Sequence, residues 1–140
     1  MFKNILIAYD GSEHARKAVE LAANLVREQG SQSCLWIVTV MEEPGHELGE
    51  PYLSKLIEER TIAGQALLTE ATELAKDGVD LHTDLLFGAP ADCILQAAQT
   101  CECDLIVMGT RGHSSLQEVL VGSQAQKVVS NAPCPVLMVK

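Results

Sequence analysis

The stretch Asp104-Leu-Ile-Val-Met-Gly-Thr-Arg-Gly-His-Ser-Ser-Leu-Gln-Glu-Val-Leu-Val-Gly-Ser-Gln124 ties an apolar run of strand length to a candidate anion site. Leu105 to Met108 is short and continuously apolar, as expected of a parallel strand buried on both faces. Gly109 and Gly112 follow at once, and without a Cβ they permit positive φ and close approach of the backbone to a ligand. Beyond the loop, Gly122-Ser123 precedes Ala125, Val128 and Val129, whose spacing predicts one face of a short helix from Ser123 to about Asn131. The second glycine pair therefore opens a helix, where N–H groups without intrahelical partners favour an anion.

The rest of the chain reads as scaffold for this unit. Asn4-Ile-Leu-Ile-Ala-Tyr9 predicts a first strand ending at Asp10-Gly-Ser12, and Ala15, Ala18, Val19, Ala22, Leu25 and Val26 then repeat at helical spacing. Ser12 is the better candidate to cap that helix, and Asp10 faces the crevice outside the strand ends. Cys34 to Val40 predicts a second strand. Met41 to Tyr52, with two Gly, two Pro and four Glu, predicts an acidic loop long enough for a flap. Leu53, Leu56, Ile57, Ala63, Ala66, Leu67, Ala71, Leu74 and Ala75 predict the inward face of a long second helix. Leu81 to Leu86 alternates as a third strand, with His82 and Asp84 as a surface pair on its polar face. Pro90 opens a third helix that turns Ile94, Leu95, Ala98 and Cys101 inward. The fourth helix stops at Asn131-Ala-Pro-Cys-Pro135, and Val136 to Val139 is the fifth strand. Strands alternating with helices require parallel pairing and right-handed crossovers, which give a three-layer α/β/α sandwich.

Composition narrows the functional classes. At 140 residues the chain predicts one domain over 1–140. Its hydrophobic content is 47% and its aromatic content only 4%, so small aliphatic side chains fill the interior. The net charge of −9 argues against nucleic acid or an anionic membrane as a broad-surface partner. Neither a secretory leader nor an apolar run of membrane-spanning length is evident, which predicts a soluble cytoplasmic protein. Five cysteines, an odd number, predict reduced thiols; Cys101-x-Cys103 has neither a second pair nor a histidine at zinc-finger spacing.

The glycine spacing Gly-x2-Gly-x9-Gly-Ser lacks the Lys of a Walker loop and differs from Gly-x-Gly-x-x-Gly. It resembles the nucleotide motif of the universal stress protein family, in the branch that binds ATP. Asp10-Gly-Ser12-x-x-Ala15-x-x-Ala18, Gly88-x-Pro90-Ala91, Asp104 to Gly112, and Cys134-Pro-Val-Leu-Met-Val139 carry the same resemblance over nearly the whole chain. It implies a five-stranded parallel sheet in the order 3-2-1-4-5, Rossmann-like and of the adenine nucleotide alpha hydrolase-like kind. That order has a topological switch point between the first and fourth strands.

Carried over residue by residue, the resemblance sets Ala8, Tyr9 and Asp10 beside base and ribose, Val40 against the adenine, and Met108 and Gly109 under ribose and phosphates. Arg111, Gly112, Gly122, Ser123 and Gln124 would hold the phosphates of ATP, ADP or AMP, with Mg2+ for the triphosphate. Gln124 departs from the small or branched apolar residue usual after Gly-Ser in the family. A homodimer through the C-terminal strand is implied as well. The function expected is a stress-response or regulatory nucleotide binder whose loops at 41–52 and 109–123 signal occupancy to a partner protein. An enzyme would need a nucleophile with an adjacent base, and none is apparent, so weak ATP hydrolysis is the most that this reading allows. The other alternative is a nucleotide-free dimeric interaction module, as in family members without the glycine motif, and the motif's presence here counts against it.

Overall fold

The computed structural model describes residues 1–30, 32–110 and 122–140. Five strands, β1 (Asn4–Ala8), β2 (Cys34–Met41), β3 (Asp80–Phe87), β4 (Leu105–Gly109) and β5 (Val136–Val139), form one sheet in the order β3-β2-β1-β4-β5. Every pairing is parallel. Between the strands run α1 (Glu13–Gln29), α2 (Tyr52–Ala75), α3 (Pro90–Thr100) and α4 (Ser123–Asn131), with a single 3-10 turn at His46–Leu48. The predicted fold class and strand order are those observed.

Strand alternation sorts the core into two layers. Ile5, Ile7, Leu35, Ile37, Leu105 and Val107 pack with the apolar stripes of α1 and α2. Leu6, Val38, Ile106 and Met108 pack instead with Ala91, Ile94 and Ala98 of α3 and Ala125 and Val128 of α4. A strand flanked on both faces must be apolar throughout, which is why β1 has Ile5, Leu6 and Ile7 without exposure. Alanines dominate the inner face of α1 (Ala15, Ala18, Ala22, Ala23), so that helix lies close to the sheet.

Local chemistry fixes the ends of α1. Ser12 Oγ accepts the Ala15 N–H at 3.2 Å, and Asp10 Oδ1 accepts the Ser12 N–H at 2.9 Å across Gly11, whose φ is 82°. Ser12 caps the helix as expected from the sequence, while Asp10 also shapes the turn, a role the sequence reading did not give it. Gly30, at φ 92°, closes the helix by donating its N–H to the Val26 carbonyl.

Two inward faces differ from expectation. On α2 the buried residues are Gly64, Leu68, Ala71 and Ala75, whereas Ile57, Ala63 and Ala66, expected inward, are exposed. A Cβ on Gly64 would lie 2.4 Å from Leu85 Cδ1, so the helix seats on β3 where it lacks a side chain. On α4, Ala125 and Val128 are buried but Val129 is half exposed. The segment 41–52 is shorter as a loop than predicted, because Met41 extends β2 and Tyr52 begins α2. Among the described residues no helix is long and apolar enough to cross a membrane.

Candidate functional site

In the order β3-β2-β1-β4-β5 the crossover from β1 runs to β2 and that from β4 runs to β5, in opposite directions, and ligands of open α/β sheets bind outside the strand ends at such a point. A cavity of about 460 Å³ opens there. Its strand-side walls are Ala8, Val38, Val40 and Met108, closed from the helix side by Pro90 and Ile94. At its other margin lie Gly122, Ser123, Gln124 and Ala125, the first turn of α4. Tyr9, Asp10 and Ser12 come from the end of β1, and Gly109 and Thr110 from the end of β4.

Among the residues expected from sequence, Ala8, Tyr9, Asp10, Val40, Met108, Gly109, Gly122, Ser123 and Gln124 therefore share one cavity. Arg111 and Gly112 lie outside the described residues, as do His113 and most of the loop 109–123. Apart from Val40, no residue of β2 after Val38 and none of the segment 41–52 lines the walls. Ser12, Ala15, Val38, Pro90, Ile94, Thr110 and Ala125 are wall residues that sequence reading did not assign to the site. Ile94 stands one turn after Pro90 on the face already read as buried, and that pairing was the available signal.

Four residues line the cavity in ways their sequence context did not convey. The Tyr9 side chain belongs to the opposite layer, where its hydroxyl donates to Glu70 Oε1 of α2. Burial, and then the hydrogen bond and charge of Glu70, keep that phenol protonated far above the ordinary tyrosine range. Its backbone is engaged too, since Tyr9 N–H donates to the Val38 carbonyl at 2.8 Å and Thr39 Oγ1 donates to the Tyr9 carbonyl at 2.9 Å. Tyr9 thus locks the carboxyl ends of β1 and β2 together.

Gly109 is not at positive φ, contrary to expectation. A Cβ there would stand 2.8 Å from the Ala15 nitrogen and 2.8 Å from His14 Cβ, so close approach to the start of α1 is what requires glycine. His14 Nδ1 and Thr110 Oγ1 share a hydrogen bond of 2.8 Å beside this contact. Gly122, likewise, has φ −64° and ψ 156°, a conformation open to any residue, and a Cβ on it would meet nothing within 4 Å among the described residues. What marks that position is its place in the cavity lining.

Gln124 has a structural task. Its Oε1 accepts the Ala91 N–H at 2.9 Å, supplying from α4 the cap that Ala89 cannot give to α3. Lys127 reinforces the pairing through Asp92 at 2.9 Å. The starts of α3 and α4 are thereby held side by side, with the start of α1 nearby at Ser12 and Ala15. Helix N-termini carry partial positive charge. Among the described residues no Lys or Arg lines the cavity, and Asp10 is its one formal charge.

Cysteine chemistry is muted. All five thiols are free, and burial raises each above the ordinary thiol range, Cys103 up to about 12. None has the electropositive surroundings that would make a thiolate nucleophile.

A doubly wound α/β domain with an apolar cavity at its switch point, edged by helix N-termini, is the class that fold and site define. The match to known proteins narrows this class. The family model described as "Universal stress protein family" matches residues 1–140. A universal stress protein of Thermus aquaticus is 43% identical over 141 residues, covering 100% of both chains. The solved structure of universal stress protein UspA from Lactobacillus plantarum superimposes with a TM-score of 0.86 at 29% identity, over 99% of this chain and 97% of that one. A universal stress protein solved in complex with cAMP matches with a TM-score of 0.77 at 26% identity, over 99% of this chain and 97% of the other. The chain belongs to the universal stress protein family.

Proposed function

We propose that this protein is an adenine-nucleotide-binding stress regulator of the ATP-holding branch of its family, acting as a single cytoplasmic domain. The observation that carries the reading is the switch-point cavity itself, apolar at its strand side and bordered by the first turn of α4 at the other. Its volume lies within the range of about 300–1,000 Å³ typical of small-molecule sites. Val38, Val40, Ile94 and Met108 suit the flat, apolar faces of a purine, and Met108 adds a polarizable sulfur. Phosphates suit the N–H groups of Ser123 and Gln124, which need no cationic side chain to attract an anion. The relative solved with cAMP supports an adenine ligand for this class of site.

Mg2+ fits the same arrangement. Magnesium is commonly held by one or two carboxylates together with substrate phosphates, and Asp10 supplies one carboxylate at the cavity margin. Arg111 and Gly112 belong to the proposal on the strength of the motif alone. Turnover falls far below the usual enzyme range of about 1–10³ s⁻¹, because the glycine motif lacks a Walker lysine and the Thr110–His14 pair at the wall is not joined by a third group orienting the imidazole among the described residues. Occupancy, in this reading, is the signal that a partner protein detects. A homodimer through β5 completes the proposal, since an edge strand presents unpaired N–H and C=O groups.

Acid extraction of the freshly purified protein tests the central point. An adenine nucleotide, ATP foremost, is expected in the extract, and the emptied protein should rebind ATP with Mg2+. An extract without nucleotide, from a protein that also fails to take up added ATP, would remove the nucleotide from the account.

A further inference from the structure

At the other end of the sheet, far from the cavity, three ligating side chains of different type converge. Cys34 and Asp80 are register partners where β2 and β3 begin, and Trp36 and His82 are partners two residues on. The period of two puts all four on one face. One ligand atom each from Cys34, Asp80 and His82 lies within 4.8 Å of the others. Nε2 of His82 and Oδ1 of Asp80 are 3.5 Å apart. For metal–ligand bonds of roughly 2.0–2.3 Å, the edge of a tetrahedral zinc site is about 3.5 Å. The histidine–carboxylate separation already matches that edge.

Two further groups shape the spot. Asn4, the β1 register partner of Cys34, accepts from the Cys34 thiol at 3.0 Å through Oδ1, and its Nδ2 donates to the Glu102 carbonyl at 3.3 Å. This network aims the amide oxygen at the sulfur and provides a fourth donor. The Trp36 ring stacks on His82, with centroids 4.4 Å apart and planes 20° from parallel, which orients the imidazole as outer-shell groups orient metal-binding histidines.

We infer that Cys34, Asp80 and His82, with Asn4 Oδ1 or water as fourth donor, form a binding site for a borderline-soft divalent cation of the zinc type. One soft sulfur, one imidazole and one carboxylate favour Zn2+ or Co2+ over Mg2+ or Ca2+, which take oxygen sets. Binding displaces the Cys34 thiol proton to solvent, one proton per ion, and frees Asn4 Oδ1 from the S–H bond. The ion would tie the edge strand β3 to β2 and β1 at their starts. Cys93, Cys101, Cys103 and Cys134 are the competing thiols, and none of them belongs to the convergent set.

The probe is Co2+ added to reduced, chelator-treated protein, read by near-ultraviolet thiolate-to-cobalt absorption and by emission of Trp36, the sole tryptophan. The expected result is absorption that saturates at one ion per chain, is bleached by Zn2+, and runs parallel to quenching of Trp36. Cys34→Ser and His82→Ala should each weaken binding by at least about tenfold, while Cys101→Ser leaves it unchanged. His82 has a side chain 47% exposed, so His82→Ala keeps the core intact if Cys34→Ser does not fold. Absence of thiolate absorption at molar equivalence, its retention in Cys34→Ser, or undiminished affinity in His82→Ala would each overturn the site. None of these results depends on whether the distant cavity holds a nucleotide.

Discussion

The two ends of the sheet solve opposite problems. At the amino end the polar groups satisfy one another. Asp104 accepts the Lys3 and Asn4 N–H groups at 2.8 and 3.0 Å, Asn4 returns its carbonyl to Asp104 N–H at 2.9 Å, and Cys34 N–H donates to the Lys3 carbonyl at 2.8 Å. Gln29 and Ser33 close the same end through the backbone of Phe2. At the carboxyl end the described residues line a cavity bordered by helix N-termini. The contrast teaches where the chain keeps stability and where it keeps space for a ligand. Substitutions should separate the two.

Gly109→Ala is expected to have the largest effect on stability, and it lies at the open end. Its new Cβ would meet backbone atoms of His14 and Ala15 at 2.8–2.9 Å, which cannot rotate away. Overpacking of this kind costs about 1–3 kcal/mol, and fixed backbone contacts place this case near the top. Urea denaturation checks it; a stability equal to the parent would show that α1 shifts freely and that Gly109 serves the cavity alone.

Asp104→Ala comes next, at the closed end. Removing the acceptor of two backbone N–H groups should cost about 1–2 kcal/mol, with Asp104→Asn recovering part of it, while nucleotide affinity stays that of the parent. A loss of affinity with little change in stability would break the separation between the ends. Leu137→Lys should have the smallest effect on stability. Leu137 is 39% exposed on the edge strand, whereas Val136 and Met138 pack toward α3 and α4, where a lysine would disturb the core. Sedimentation of the parent should show a dimer, and of this variant a monomer. A monomeric parent, or a dimer indifferent to the change, would remove β5 as the interface.

Much of this was legible in the chain, and the remainder has identifiable causes. Apolar runs and helical spacing located every strand and helix because each element buries a periodic face against the sheet. Faces failed where periodicity counted side chains and the structure used their absence. Gly64 under Leu85 carries the contact that Ala63 and Ala66 were expected to make. The cavity walls were legible through Asp10-Gly-Ser12, Met108-Gly109 and Gly122-Ser123, which are local in sequence.

Roles set by distant partners were not legible. Gln124 serves Ala91, Gly109 serves Ala15, and Tyr9 serves Glu70, each across more than 30 residues. His82 was paired with Asp84 by alternation, but Asp80 is its ion partner and Trp36 its stacking partner. Only the β2–β3 register brings Cys34 to the same place.

The central claim is that the open end holds an adenine nucleotide at the start of α4, and Gly122→Val tests it most directly. A Cβ there meets no atom of the described residues within 4 Å, and φ is −64°, so the variant should fold with stability within about 1 kcal/mol of the parent. The added branch would instead occupy the space through which phosphates approach the first turn of α4. Calorimetric titration with ATP and Mg2+ should show binding by the parent and a loss of at least tenfold, about 1.4 kcal/mol, in the folded variant. Equal affinity in both proteins would contradict the account and move the phosphates away from Gly122.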